Sequence, residues 1–356
     1  MSAAGNDVAA RLTARTLDLV NIPSLSREER EVAAYVAAAM PWPPEWQNDD
    51  TLWFGAALGG RPRVVLAGHL DTVPPQGNLP GRLDDGIVWG LGASDMKGGL
   101  AVMIELALAR ADLRSSDVPL DVSFLFFPRE EAPADQNPLP GLFEAIPELG
   151  AADLAILLEP TDGAVHAGCL GHIQARMVVE GRSAHSARPW LGVNAISLAL
   201  ERLAPIAAVP PREVEIDGLT FVEVLSVTQV EGGIAANVIP DRVEATLSYR
   251  YAPDRTPEEA EARLREIAGD LEVVGNAPPG KVVRSPLVDQ LVAAGAKGVE
   301  PKQAWTNVAD FTTRGVDAVN FGPGITSVIH APDERVEVAG LVHAYETLER
   351  FLRGSV

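Results

Sequence analysis

The sequence predicts an α/β protein: a mixed sheet with helices on both faces, interrupted by a smaller α+β domain of ferredoxin-like order. Three observations lead there. Short apolar runs, "RVVLAG", "DVSFLFF", "LAILLE" and "DAVNFG", are continuous rather than alternating, as in strands buried on both faces. An apolar stretch, "GGLAVMIELALARAD", lies between the first two and suits a covering helix. Between Ile173 and Val274 the pattern changes to alternating strands and amphipathic helices.

In chain order, a first helix runs to about Val20. Ser26 and Glu29 have capping-box spacing, which predicts a second helix from near Arg27. The buried strands and the covering helix follow. The middle segment then reads as strand "IQARMVVEG", helix "VNAISLALERLA", strands "VEVLSVTQVEG" and "RVEATLSYRYA", and helix "TPEEAEARLREIAG". Thr256, Pro257 and Glu259 give that last helix a complete start signal. The order β-α-β-β-α predicts an inserted domain at 172–275, within a discontinuous larger domain at 1–171 and 276–356.

Composition narrows the function. The 356 residues carry a formal charge of −20, which argues against nucleic acid or an anionic membrane as a partner. One cysteine, Cys169, allows no intrachain disulfide and fits a reducing compartment. The N-terminal stretch lacks the pattern of a signal peptide, and no apolar run has membrane-spanning length, so a soluble cytoplasmic protein is expected.

The ends of the buried runs carry the chemistry. "RVVLAG" leads into His69 and Asp71, "DVSFLFFPR" into Glu130 and Glu131, "LAILL" into Glu159, and "DAVNFGPG" by a short loop to His330. Functional crevices of open α/β sheets lie at the carboxyl ends of their strands. Asp95 joins the set from the glycine-rich loop "GLGASDMKGG". Gly90 and Gly92 there lack the third glycine of a dinucleotide-binding turn. Imidazole and carboxylate groups in this number point to a metal site, for zinc or a similar first-row ion such as cobalt or manganese.

Charge favours two ions. If Asp95 bridges them, with His69 and Glu159 on one ion and Glu131 and His330 on the other, three carboxylates and one hydroxide neutralise two divalent cations. Asp71 then orients His69, and Glu130, left without a metal, is placed to act as general base. Continued strand alternation would point Glu130 and Glu131 to opposite sides.

"GHLDTVP", "GLGASDMKGG", "PREEAP", "LEP" and "HAPDE", in this order, resemble the M20 family of dinuclear zinc amidohydrolases over nearly the whole chain. The resemblance implies a zinc-exopeptidase-like catalytic domain and an inserted lid that forms a homodimer. It implies His69, Asp95, Glu131, Glu159 and His330 as metal ligands, Asp71 as their support and Glu130 as the base. It also implies a cis peptide between Asp95 and Met96.

In the lid, "GRSAHSARPWLGVNA" resembles the segment whose histidine, here His185, reaches the partner subunit's active site and stabilises the oxyanion. Asn237 and Arg250 match substrate-binding positions, Arg250 for a carboxylate, and Thr306 fits a further one. The segment from "IDGLTFVEV" to "RYAPD" is most similar to the family's actinobacterial-type desuccinylase branch. That similarity implies cleavage of N-succinyl-LL-2,6-diaminopimelate to succinate and LL-diaminopimelate. Acetylornithine deacetylase, carboxypeptidase and dipeptidase activities stay open, as does an inactive binding protein of the same fold. In "WTNVADF", Asn307 and Asp310 stand where family members often carry Asp and Arg, so a cation near the substrate pocket is replaced.

Overall fold

The computed structural model describes residues 3–55, 60–110 and 118–354. The chain divides into two compact units, one of residues 1–167, 283–300 and 310–356, the other of residues 168–282 and 301–309. The short stretch 301–309, assigned from sequence to the larger domain, groups with the smaller unit.

The larger unit is built on an eight-stranded sheet. Its centre is four parallel strands in the order Asp121–Phe127, Arg63–His69, Leu154–Leu157 and Ala318–Asn320. Thr51–Phe54 and Trp46–Asn48 extend one side antiparallel. Val165–Cys169, antiparallel to Ala318–Asn320, and Val299–Lys302 extend the other.

Every residue of Asp121–Phe127 and Leu154–Leu157 is buried, as expected of strands covered on both faces. The helix Gly98–Ala109 is buried from Gly98 to Ala107, so it is apolar all round rather than striped. It packs on Arg63–His69 and against the helices Ala3–Val20 and Val338–Arg353. No helix among the described residues is long and apolar enough to cross a membrane.

The predicted second helix starts later than its capping spacing suggested, at Arg30–Ala39, and Glu29 gives it no side-chain cap. Ser26 Oγ instead donates to Asp71 Oδ2 at 2.6 Å, and Glu29 Oε1 accepts from the backbone N–H groups of Arg27 and Arg129. Both cap residues are committed to groups far away in sequence.

In the smaller unit, five antiparallel strands take the order Arg212–Ile216, Leu219–Gly232, Arg242–Tyr251, Gly171–Glu180 and Glu272–Ala277. Burial alternates strictly along Arg242–Tyr251, and the helices Ala195–Ala207 and Pro257–Ala268 join its buried face in one core. The capping box at Thr256 is present in both directions. The flanking strands Arg212–Ile216 and Glu272–Ala277 were not read from sequence, since their burial is shallow and their apolar signal weak.

Candidate metal centre

All of the predicted metal ligands lie in the larger unit, beyond the carboxyl ends of its central parallel strands. The strand Arg63–His69 delivers His69 fully buried. Gly68 just before it is packed so closely that an added Cβ would lie 2.6 Å from Met96 Cε. His69 Nδ1 lies 3.1 Å from the Asp71 carbonyl oxygen and 3.4 Å from Asp71 Oδ1. With Nδ1–H donating there, the lone pair on Nε2 faces Asp95 Oδ1 at 3.0 Å and Glu159 Oε1 at 3.8 Å.

Asp95 sits in a turn, Ala93–Lys97, entered through Gly92 at φ +77°. A Cβ at Gly92 would be strained by that φ and would meet Thr72 Cγ2 at 2.8 Å. The Asp95–Met96 peptide is cis. The second Asp95 oxygen, Oδ2, lies 3.6 Å from His330 Nε2, and His330 Nε2 lies 2.7 Å from Glu131 Oε1. One carboxylate thus faces two histidines delivered by different segments.

Glu130 and Glu131 are not held by strand alternation. The chain has left the strand at Phe127, and Arg129 is left-handed at φ +61°. The turn is shaped by two other carboxylates. Asp71 accepts from the Glu130 N–H at 2.9 Å and the Glu131 N–H at 3.0 Å, and Glu29 accepts from the Arg129 N–H at 3.1 Å. The backbone of both glutamates is thus clamped by Asp71.

The electrostatics are those of a site short of positive charge. Burial opposes the charge of His69, but Asp71 and Asp95 outweigh it and hold its pKa well above the ordinary value. His330 is pushed up to about 9, first by its hydrogen bond to Glu131. Burial, then the charges of Glu131 and Glu159, push Glu130 well above the usual carboxylate range. Burial also opposes the charge of Asp71, but hydrogen bonds from His69, Ser26 and the Glu130 N–H hold it below its ordinary value.

The donor set fits divalent ions. Atoms of His69, Asp95 and Glu131 that can ligate lie within 4.8 Å of one another. Ligands about 2.0–2.1 Å from a tetrahedral ion are separated by roughly 3.3 Å. The 3.0 Å between His69 Nε2 and Asp95 Oδ1 is close to that edge. A proton on His69 Nε2 makes this contact a hydrogen bond, and a divalent ion taking that proton's place would be ligated by both atoms.

The remaining predicted residues lie in the smaller unit. His185 and Asn237 are brought side by side: His185 pairs with Val238, and the Ser186 N–H donates to the Asn237 carbonyl at 3.0 Å. The Ala187 N–H donates to His185 Nδ1 at 3.1 Å, which leaves Nε2 as the protonated nitrogen of the neutral ring. Arg250 lies opposite His172 on neighbouring strands, half-buried, with no hydrogen bond or ion pair to any described residue. Thr306 is buried, and its Oγ1 has no partner among described residues. Asn307 is fully buried in the same unit. In the larger unit, the Asp310 carboxylate accepts from Asn137 Nδ2 at 2.9 Å, and its backbone carbonyl accepts from Arg314 Nη1 at 2.9 Å.

Sequence reasoning gave no role at the site to Ser26, Glu29 or Glu334. Glu334 is 2% exposed, and its carboxylate accepts from the N–H groups of Gly92, Ser94 and Asp95. Ser26 and Glu29 carried a capping signal that concealed them. Glu334 lay inside "HAPDE", where its backbone partners leave no side-chain pattern to mark it.

Comparison with known proteins accords with this geometry. The sequence profile described as peptidase family M20/M25/M40 matches residues 65–354. A Mycobacterium tuberculosis protein, provisionally described as a succinyl-diaminopimelate desuccinylase, is 39% identical over 95% of this chain and 97% of its own. The succinyl-diaminopimelate desuccinylase of Corynebacterium glutamicum is 36% identical over 95% of each. Among solved structures, an M20 family metallo-carboxypeptidase from Sulfolobus solfataricus superposes with a TM-score of 0.78 at 19% identity, covering 96% of this chain and 98% of that one. A dinuclear metal-binding M20 peptidase of Bacillus subtilis does so with a TM-score of 0.69 at 17% identity, covering 98% and 99%. On the extent of the profile match and of these full-length identities, the chain belongs to peptidase family M20/M25/M40 and is a hydrolase of that family.

Proposed function

We propose that the protein is a dinuclear metal amidohydrolase that splits N-succinyl-LL-2,6-diaminopimelate into succinate and LL-diaminopimelate. The observation that carries the chemistry is the Asp95 carboxylate, with one oxygen toward His69 and the other toward His330. In this reading Asp95 is shared, His69 and Glu159 complete one ion's protein ligands, and Glu131 and His330 complete the other's. The mixed imidazole and carboxylate donors favour zinc, with cobalt or manganese as substitutes. When bound, the ions supply Lewis acidity toward the amide carbonyl and lower the pKa of the attacking water.

The protein's own groups do the rest. Glu130 takes the proton from the attacking water and returns it to the leaving nitrogen. Its raised pKa reflects burial among carboxylates, which bound cations would offset. Asp71 fixes the ring of His69 and the backbone of Glu130 at once. His185 offers its Nε2–H to the developing oxyanion of the partner subunit. Arg250, without an acidic partner among the described residues, pairs with a substrate carboxylate. Asn237 and Thr306 supply further polar contacts.

The lid pairs with a second copy of the chain. Its surface carries Trp190 at 74% exposure and Leu200 at 66%, with Leu191, Val193 and Ile196 also exposed nearby in sequence. Apolar exposure this dense along eleven residues supports an interface. A cytoplasmic setting suits the single, free Cys169.

The test compares initial rates of zinc- and cobalt-loaded enzyme on N-succinyl-LL-diaminopimelate, N-acetylornithine and a dipeptide. A strong preference for the succinyl compound is expected. Preference for another member of the panel would overturn the substrate, and no turnover of any would overturn the reaction.

A further inference from the structure

Glu334 is a buried carboxylate outside the proposed ligand set. It is 2% exposed, and both its oxygens are engaged. Oε1 accepts from the Ser94 N–H at 3.1 Å and the Asp95 N–H at 3.0 Å, and Oε2 accepts from the Gly92 N–H at 3.0 Å. The adjoining Arg335 carbonyl accepts from Ser94 Oγ at 2.6 Å. Three of the four residues from Gly92 to Asp95 are therefore held by one side chain from a distant part of the sequence.

A second buried side chain backs this arrangement from within the same turn. Lys97 is 1% exposed, its Nζ donates to the Ile22 carbonyl at 2.7 Å, and burial lowers its pKa to about 7 against the opposing charge of Glu334. The Lys97 stem also lies under Gly92, where an added Cβ would meet Lys97 Cδ at 3.1 Å.

Keeping a carboxylate buried beside Asp95 is costly. A stable turn alone does not require it, because glycine and backbone bonds can close such a turn. What it adds is a fixed position for the Asp95 backbone, and so for a side chain whose two oxygens must face two histidines.

We infer that Glu334 is a positioning residue for Asp95: by holding the Gly92, Ser94 and Asp95 N–H groups, it sets the geometry in which Asp95 is shared by two ions. This rests on the reading of Asp95 as the shared ligand. Groups that orient metal ligands typically change metal affinity by about 10- to 100-fold when removed.

The experiment measures zinc affinity by competition with a chromogenic chelator. It also measures amide hydrogen exchange over Gly92–Met96 in metal-free protein. The proteins are wild type, Glu334→Ala, Glu334→Gln and Asp95→Ala. Glu334→Ala is expected to weaken zinc binding by about tenfold or more. Glu334→Gln keeps an acceptor for Ser94 and Asp95 but sets a donor against the Gly92 N–H, so it should give a smaller loss and partial rescue. The turn's amides should exchange faster in both variants.

If Glu334→Ala does not fold, Glu334→Gln decides. Weakening of less than about threefold in the Glu334 variants, with Asp95→Ala strongly impaired, overturns the inference and leaves the metal site standing. Unchanged affinity in Asp95→Ala overturns the reading of the site itself, and the inference with it.

Discussion

His69 Nε2 lies 3.0 Å from Asp95 Oδ1, while Nδ1 of the same ring is turned to the Asp71 carbonyl at 3.1 Å. The ring is thus oriented by one aspartate and aimed at another. Nε2 faces a carboxylate oxygen, a contact that a proton holds in the metal-free site and that a divalent ion would take over. Removing metal with a chelator should abolish turnover, and zinc or cobalt should restore it. The metal should also raise the melting temperature, since it binds the folded state, by about 4 kcal/mol of stability at a thousandfold excess over Kd. His69→Ala should lose both the stoichiometric metal and this thermal shift. Retention of both would refute its role as a ligand.

Glu130 touches Asp71 through its backbone, which leaves its carboxylate for chemistry. Glu130→Gln should retain metal content and lower kcat by about 10²- to 10⁴-fold, the usual contribution of a general base. Metal analysis and steady-state kinetics on one preparation check this. Near-normal kcat would exclude Glu130 as the base.

Arg250 has no acidic partner among the described residues, and burial lowers its pKa from the ordinary value. An unpaired half-buried guanidinium is poised for an anion. Arg250→Ala should raise KM for a dicarboxylate-bearing substrate by about 10- to 100-fold, the value of a hydrogen bond to a charged group. The effect should be much smaller on a substrate lacking that carboxylate. Equal losses on both would mean that Arg250 supports the sheet rather than the substrate.

Trp190 and Leu200 are among the most exposed apolar side chains described. Leu200→Glu should shift the protein toward monomer in sedimentation or light scattering. Activity should fall with it, because His185 would act on the partner subunit. A monomeric wild type, or an active monomeric variant, would remove the basis for a shared site.

His172 gives a pH signature away from the metal centre. Burial, then the charge of Arg250, lowers its pKa to about 4 from the ordinary 6.5. Below about pH 6.5 the unfolded chain binds a proton that the folded chain refuses. Stability should therefore fall as pH drops from 6.5 toward 4. His172→Gln, which can still bond Ser248 Oγ, should flatten that slope in urea denaturation. An unchanged slope would show that His172 does not titrate in this way.

Much of this was legible in the sequence because local pattern and local chemistry agreed. Continuous apolar runs marked the central strands, and polar residues at their ends marked the sheet edge that carries the site. The Thr256 start signal was met in full, since both of its capping contacts lie within one helical turn. Ser26 and Glu29 failed as caps for the opposite reason: Asp71 and Arg129 offered them partners of higher value.

The sequence by itself determined two units, the family, and the histidines and carboxylates that end the central strands. Those depend on residue identity and short spacing. Only the tertiary structure decided which oxygen faces which histidine, that Asp71 clamps the backbone of Glu130 and Glu131, and that Glu334 holds the turn bearing Asp95. A carboxylate that accepts backbone N–H groups more than two hundred residues away leaves no periodic trace in the chain. Its partners have no side-chain signature, so the contact exists only once the fold has brought the segments together.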